Sequence, residues 1–171
     1  MPIKVCIFDA YGTLFDVAAA ARLAAAEPGR EALAAAWPRL ADDWRRKQLE
    51  YSWLRAIMER HADFWQVTGD ALDWAMEAAG LDDPVLRDRL MALYSALDAY
   101  PEVPPMLTAL KAAGQQTAIL SNGAPDMLAA AVAAAGTGRQ LDDVLSVETV
   151  GVFKPAARVY RMVTERFGCR P

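Results

Sequence analysis

From about residue 17 to residue 98 the apolar positions recur at helical spacing, with no alternation of the kind a half-buried strand shows. The block is broken at Glu27-Pro28-Gly29, around His61 to Gly69, and at Gly80-Leu81-Asp82-Asp83-Pro84. In the last of these a glycine ends one helix and a proline opens the next. On either side of the block the pattern changes. Ile3 to Phe8, interrupted only by Lys4, reads as a short buried strand. After Tyr100-Pro101-Glu102-Val103-Pro104, helices and strands alternate. The spacing predicts a helix over 104–113 ending at Gly114, a strand over 116–120, a helix over 125–135 ending at Gly136, a strand over 144–148 and a helix over 155–167. Such an order forms right-handed parallel crossovers. The predicted architecture is therefore α/β, with a Rossmann-like parallel sheet core (1–16 and 100–171). A helical cap subdomain, 17–99, is inserted after the first strand.

Composition fits one core domain with an insertion. At 171 residues the chain can bury a sizeable core. A net charge of −4 offers no basic patch for nucleic acid. The apolar fraction owes most to alanine, and stretches such as Val17 to Ala26 carry Arg22 and stop at Glu27, too short to cross a bilayer. No basic-then-apolar leader opens the sequence. Cys6 and Cys169 suggest neither a disulfide framework nor a metal site, so the cytoplasm is the expected compartment. There is no internal repeat.

The chemistry begins at Phe8-Asp9-Ala10-Tyr11-Gly12-Thr13-Leu14-Phe15-Asp16. Asp9 falls at the C-terminal tip of the first strand, where open α/β sheets place their ligands, and Gly12 allows a tight turn behind it. A carboxylate there is a nucleophile or a metal ligand. A magnesium site wants further hard oxygen ligands, yet two positions on stands Tyr11. Asp16, beyond the turn, reads as a helix N-cap. Thr13 either hydrogen-bonds the Asp9 carboxylate or is a turn residue. A second strand tip carries Ser121-Asn122-Gly123 ahead of a helix N-terminus that favours an anion. A third junction carries Lys154, whose ammonium, if aimed at Asp9, would keep that carboxylate ionised. In the cap, Arg45, Leu49 and Trp53 recur every four residues on one helix face, which makes Arg45 a partly desolvated cation in need of an anion. Arg46 is expected to pair with Glu50 on the solvated side. Trp37, Trp44, Trp65 and Trp74 read as core, and His61 as a polar residue of a cap helix.

The strings Asp-Ala-Tyr-Gly-Thr, Ser-Asn-Gly and Val152-Phe153-Lys154-Pro155, with the cap helix Trp44 to Leu54, resemble the L-2-haloacid dehalogenase branch of the haloacid dehalogenase superfamily. Superfamily phosphatases carry Asp-x-Asp instead. The resemblance implies hydrolysis of short L-2-haloalkanoic acids to 2-hydroxy acids with inversion. Asp9 would be the nucleophile and no cofactor or metal would be needed. It further implies that Arg45 receives the halide, that Asn122 helps hold it and that Ser121 binds the substrate carboxylate. Tyr11, Leu49 and Phe64 would supply apolar walls, and Tyr160 would lie on the substrate side of the last helix. Relatives often have Gln where this chain has Arg46. They are also commonly dimers, and a homodimer is expected here.

The family's fourth motif lies on a strand after the last helix, and the sequence stops at Phe167-Gly168-Cys169-Arg170-Pro171. The expectation is a dehalogenase lacking that motif, with one edge of the first strand unpaired and with slow ester hydrolysis. Two other readings stay open: a magnesium-dependent superfamily phosphatase, and a non-catalytic remnant that binds a partner.

Overall fold

The computed structural model describes residues 3–169. Three strands form one parallel sheet: β1 (Val5–Phe8), β2 (Gln116–Ser121) and β3 (Asp143–Ser146), in the order β1-β2-β3. Ile7 stands opposite Ala118, and Ser121 opposite Ser146. This register brings the C-terminal tips of the strands to one end of the sheet. The central strand β2 is buried from Thr117 onward, as expected of a strand flanked on both sides. Among the described residues β1 pairs only with β2, and its four residues are half-buried.

Four helices form the cap: α1 (Ala19–Ala25), α2 (Glu31–Ile57), α3 (Phe64–Ala78) and α4 (Pro84–Tyr94). Helix α2 packs on α1 and α3, and α1 on α4. Three more belong to the core: α5 (Val103–Ala112), α6 (Pro125–Ala134) and α7 (Ala157–Phe167). The local signals act as expected at Gly80, which takes φ +69°, and at Asp83, whose carboxylate accepts from the Leu86 N–H at 2.9 Å. That N–H, helped by Arg30 at 2.7 Å, holds the Asp83 carboxyl below the usual carboxylate range. Asp16 caps the turn leading into α1, accepting from Ala18 N–H at 3.0 Å, and also pairs with Arg22.

Several boundaries differ from the expectation. The break after His61 ends at Asp63, which caps α3 through the Trp65 N–H at 2.7 Å. Gly69 does not end a helix. It lies inside α3 at a close approach, where an added Cβ would sit 3.1 Å from the Arg87 guanidinium of α4. Strand β3 stops at Ser146 because Val147–Thr149 turns into a 3₁₀ helix, and α7 begins at Ala157, not 155.

The chain crosses between core and cap twice, and the two crossings lie side by side. Asp16 N–H donates to Asp98 O and Tyr100 N–H to Leu14 O, each at 3.0 Å, and Phe15 forms a bridge with Ala99. Phe15 is fully buried at this seam.

Candidate active site

Asp9 follows directly on β1, and its carboxylate faces the third junction as its position suggests. Lys154 Nζ donates to Asp9 Oδ1 at 2.5 Å and to Leu120 O at 2.9 Å. The ammonium thus bridges the tips of β1 and β2. Both side chains are mostly withdrawn from water, which strengthens the pair relative to a surface ion pair.

The second tip is ordered by its own hydrogen bonds. Ser121 Oγ accepts from Gly123 N–H at 3.1 Å, and Ser146 Oγ donates to Gly123 O at 2.7 Å. Asn122 Oδ1 accepts from the Lys154 backbone N–H at 2.9 Å, which commits the carbonyl end of the amide and leaves its NH₂ end to donate. Gly123 is required by packing: a Cβ there would stand 2.7 Å from the Tyr11 ring.

The cap closes over these tips. Arg45 reaches down from α2, and its Nη2 donates to Tyr11 O at 2.6 Å while Nη1 donates to Gln48 Oε1 at 2.8 Å. The guanidinium lies over the Gly12 turn, where φ is +81°. Tyr11 is buried and stacks on Tyr94 with ring centroids 5.5 Å apart. Burial, followed by the nearby Tyr94 and Asp9, raises the Tyr11 phenol far above its ordinary value. Burial also pushes Tyr94 up to about 12. Both phenols therefore stay neutral; Tyr11 lines the cavity as a wall, and Tyr94 stacks on Tyr11.

Asp9, Lys154 and Arg45 share a cavity of about 380 Å³ with Ser121, Asn122 and Tyr160. Tyr11, Leu49 and Phe64 line it too, so the expected apolar walls meet the expected polar groups. Among the described residues its charged groups are two cations and one carboxylate, a balance that suits a small anion. Thr13 is the exception. It is exposed, its backbone N–H turns back to Ala10 O at 3.3 Å, and among the described residues its hydroxyl makes no hydrogen bond to Asp9. The turn reading of Thr13 is the one its surroundings favour, because the tight turn at Gly12 faces it to solvent.

Three other expectations are corrected. Arg46 pairs with Asp43 at 2.5 Å, not with Glu50. Glu50 is taken by Lys47 at 2.9 Å, and the Lys47 ammonium lies over the Trp74 ring. His61 is not on a cap helix. It lies in the turn between α2 and α3, with Nε2 2.8 Å from Glu148 Oε2 of the core and its ring on Phe153. Trp53 and Pro155 line the cavity as well. The four-residue spacing from Arg45 already placed Trp53 on the site face. Pro155 had no signal beyond its contact with Lys154. The expected core role holds for Trp44, which is buried and donates to Thr68 O at 2.9 Å, but Trp65 is exposed. No group of three or more His, Cys, Asp or Glu residues that could hold a metal ion occurs among the described residues.

Comparison with known proteins points the same way. The haloacid dehalogenase-like hydrolase family profile matches residues 3–171. The chain is 46% identical over 171 residues to (S)-2-haloacid dehalogenase 1 of Pseudomonas sp. (strain CBS-3), covering 99% of this chain and 73% of that one. It is 45% identical to (S)-2-haloacid dehalogenase 4A of Burkholderia cepacia, over 99% of this chain and 71% of the relative. Among solved structures, the L-2-haloacid dehalogenase from Xanthobacter autotrophicus with chloropropionic acid covalently bound superposes with a TM-score of 0.84 at 46% identity. That match covers 99% of this chain and 67% of the other. Fold, site and sequence agree that the chain belongs to the haloacid dehalogenase-like hydrolases, within the (S)-2-haloacid dehalogenase branch.

Proposed function

We propose that this chain hydrolyses short L-2-haloalkanoic acids to 2-hydroxy acids with inversion at C2, through an ester on Asp9. The observation that carries the reading is the ion pair of Asp9 with Lys154 directly beneath a cap arginine, in a cavity with apolar walls. Lys154 occupies Asp9 Oδ1, and Oδ2 has no partner among the described side chains. Oδ2 attacks C2 in line, opposite the halogen. The carbon–halogen bond breaks as the ester bond forms, and the halide takes the electron pair. Arg45 and the Asn122 NH₂ group receive it, as positive charge placed in advance where negative charge develops. Ser121, the last residue of β2 at the turn that leads into α6, holds the substrate carboxylate with its hydroxyl proton. Water then attacks the ester carbonyl of Asp9, and the 2-hydroxy acid leaves with Asp9 restored. One water is consumed, and one halide and one proton are released. Tyr11, Leu49 and Phe64 exclude bulk water, which strengthens each of these interactions.

The reaction as drawn uses no metal ion or cofactor. The test is halide release from L- and D-2-chloropropionate with EDTA present. Release from the L enantiomer alone is the expected result. Dependence on added magnesium would instead favour the phosphatase chemistry of the superfamily.

No helix among the described residues is long and apolar enough to cross a membrane. Cys6 and Cys169 are free thiols, in keeping with a cytoplasmic protein. The exposed Leu54, Ile57 and Met58 at the end of α2 support association into a homodimer, and light scattering is expected to give twice the chain mass.

A further inference from the structure

Gln48 is a polar side chain with 1% exposure in the interior of the cap, one turn along α2 from Arg45. A buried amide without partners is costly, and this one has partners at both ends. Its Oε1 accepts from Arg45 Nη1 at 2.8 Å, and its Nε2 donates to Thr68 Oγ1 at 2.8 Å and to the Tyr94 hydroxyl at 3.1 Å. Thr68 donates onward to Phe64 O at 2.7 Å.

The direction of this chain is fixed by its first member. A guanidinium only donates, so the amide atom facing Arg45 is the oxygen. The amide nitrogen then faces Thr68 and must donate. Thr68 accepts that bond, and its own proton goes to Phe64 O. The bonds to Arg45 and Thr68 are thereby determined, and reversing the amide would set two donors against each other. The Tyr94 hydroxyl accepts from Nε2 at 3.1 Å and also lies 3.3 Å from Oε1, to which it can donate. The other end of the guanidinium is held by Tyr11 O, and Tyr11 stacks on the same Tyr94 that receives Gln48. Two fixed acceptors thus define the plane of the Arg45 guanidinium. Its remaining N–H groups have no protein partner among the described residues.

We propose that Gln48 is a positioning residue: anchored on Thr68 and Tyr94, it sets the guanidinium plane of Arg45 and so the direction in which the departing halide is received. This rests on the reading of Arg45 as the halide acceptor. Gln48 touches neither substrate nor halide. It acts through Arg45.

The experiment measures bromide binding by calorimetry for the parent chain, Gln48→Leu, Arg45→Ala and the double variant. It is paired with the ratio of rates on L-2-bromo- and L-2-chloropropionate. Leucine keeps a similar volume and removes every hydrogen bond of the amide, those to Arg45, Thr68 and Tyr94. Gln48→Leu is expected to weaken bromide roughly tenfold, the scale of one lost bond to a charged group. It should lower kcat more for the chloro acid, the poorer leaving group, while KM changes little. In the Arg45→Ala background it should have no further effect. Arg45→Ala with unchanged bromide affinity would overturn the halide-acceptor reading itself. A weakened Arg45→Ala beside an unchanged Gln48→Leu would overturn only the role of Gln48, as would additive effects in the double variant. Should Gln48→Leu fail to fold, Thr68→Val removes the far anchor. It is expected to move bromide affinity and the rate ratio in the same direction by a smaller factor, and unchanged values there would refute the proposal.

Discussion

Asp9→Asn is expected to abolish halide release while leaving the fold intact. Asparagine matches aspartate in size and can still accept from Lys154 through its carbonyl oxygen, so the tips of β1 and β2 stay bridged. What is lost is the anion. An amide oxygen is a feeble nucleophile toward carbon, and among the described residues no second carboxylate lines the cavity to replace it. Removing a nucleophile of this kind costs roughly 10⁴–10⁶-fold in kcat. The check is chloride release from L-2-chloropropionate by the variant, with circular dichroism to confirm folding. A rate within tenfold of the parent would mean that another group, or water itself, attacks C2.

Lys154→Met is the second large effect. Methionine fills the space of the lysine stem but brings no charge and no donor. Two acceptors then lose their partner at once: Asp9 Oδ1, and Leu120 O at 2.9 Å. Asp9 is left partly withdrawn from water without its direct ion-pair partner, and among the described residues Arg45 is the one cation left in the cavity. A fall in kcat of roughly 10²–10³ is expected, the usual scale for removing one preorganised electrostatic contact. Lys154→Arg should not restore it. A planar guanidinium cannot place a single compact charge between Asp9 and Leu120 O as an ammonium does. The measurement is the same halide assay on both variants. Full activity in Lys154→Arg would show that charge alone matters there and that the position of the ammonium does not.

The site residues best legible in the sequence are those whose place follows from the chain's own punctuation. Asp9, Ser121, Asn122 and Lys154 each sit where a predicted strand gives way to a turn, and a parallel sheet must bring such tips together. Arg45 and Leu49 follow from four-residue spacing on one helix. The residues that hold Arg45 in place did not show. Along α2 the buried stripe runs from Leu40 through Trp44 to Gln48 and Ser52, turning from apolar to polar without leaving the interior. Polar residues at helical spacing normally read as a solvated face, so the stripe loses its signal at the point where it becomes functional. One hint was present: Gln48 lies three residues beyond an arginine judged to be desolvated. The pairing of His61 with Glu148 spans 87 positions and joins cap to core, a contact no local pattern encodes. Thr13 stands between two readings, and the turn at Gly12 favours one of them. Spacing sets Arg46 against Glu50 alone, but Lys47 takes that carboxylate and Arg46 pairs with Asp43.

The adjacency of the two crossings at Leu14–Asp16 and Asp98–Tyr100 has an evolutionary corollary. A segment whose ends leave and rejoin the scaffold a hydrogen bond apart can be exchanged as a cassette, because its replacement need only span that short gap. The floor of the pocket, with the bond-breaking aspartate and its lysine, belongs to the scaffold. The ceiling, with Arg45, Leu49, Trp53 and Phe64, belongs to the cassette. Recombination across this seam can therefore redesign which molecules are admitted while inheriting the nucleophile unchanged.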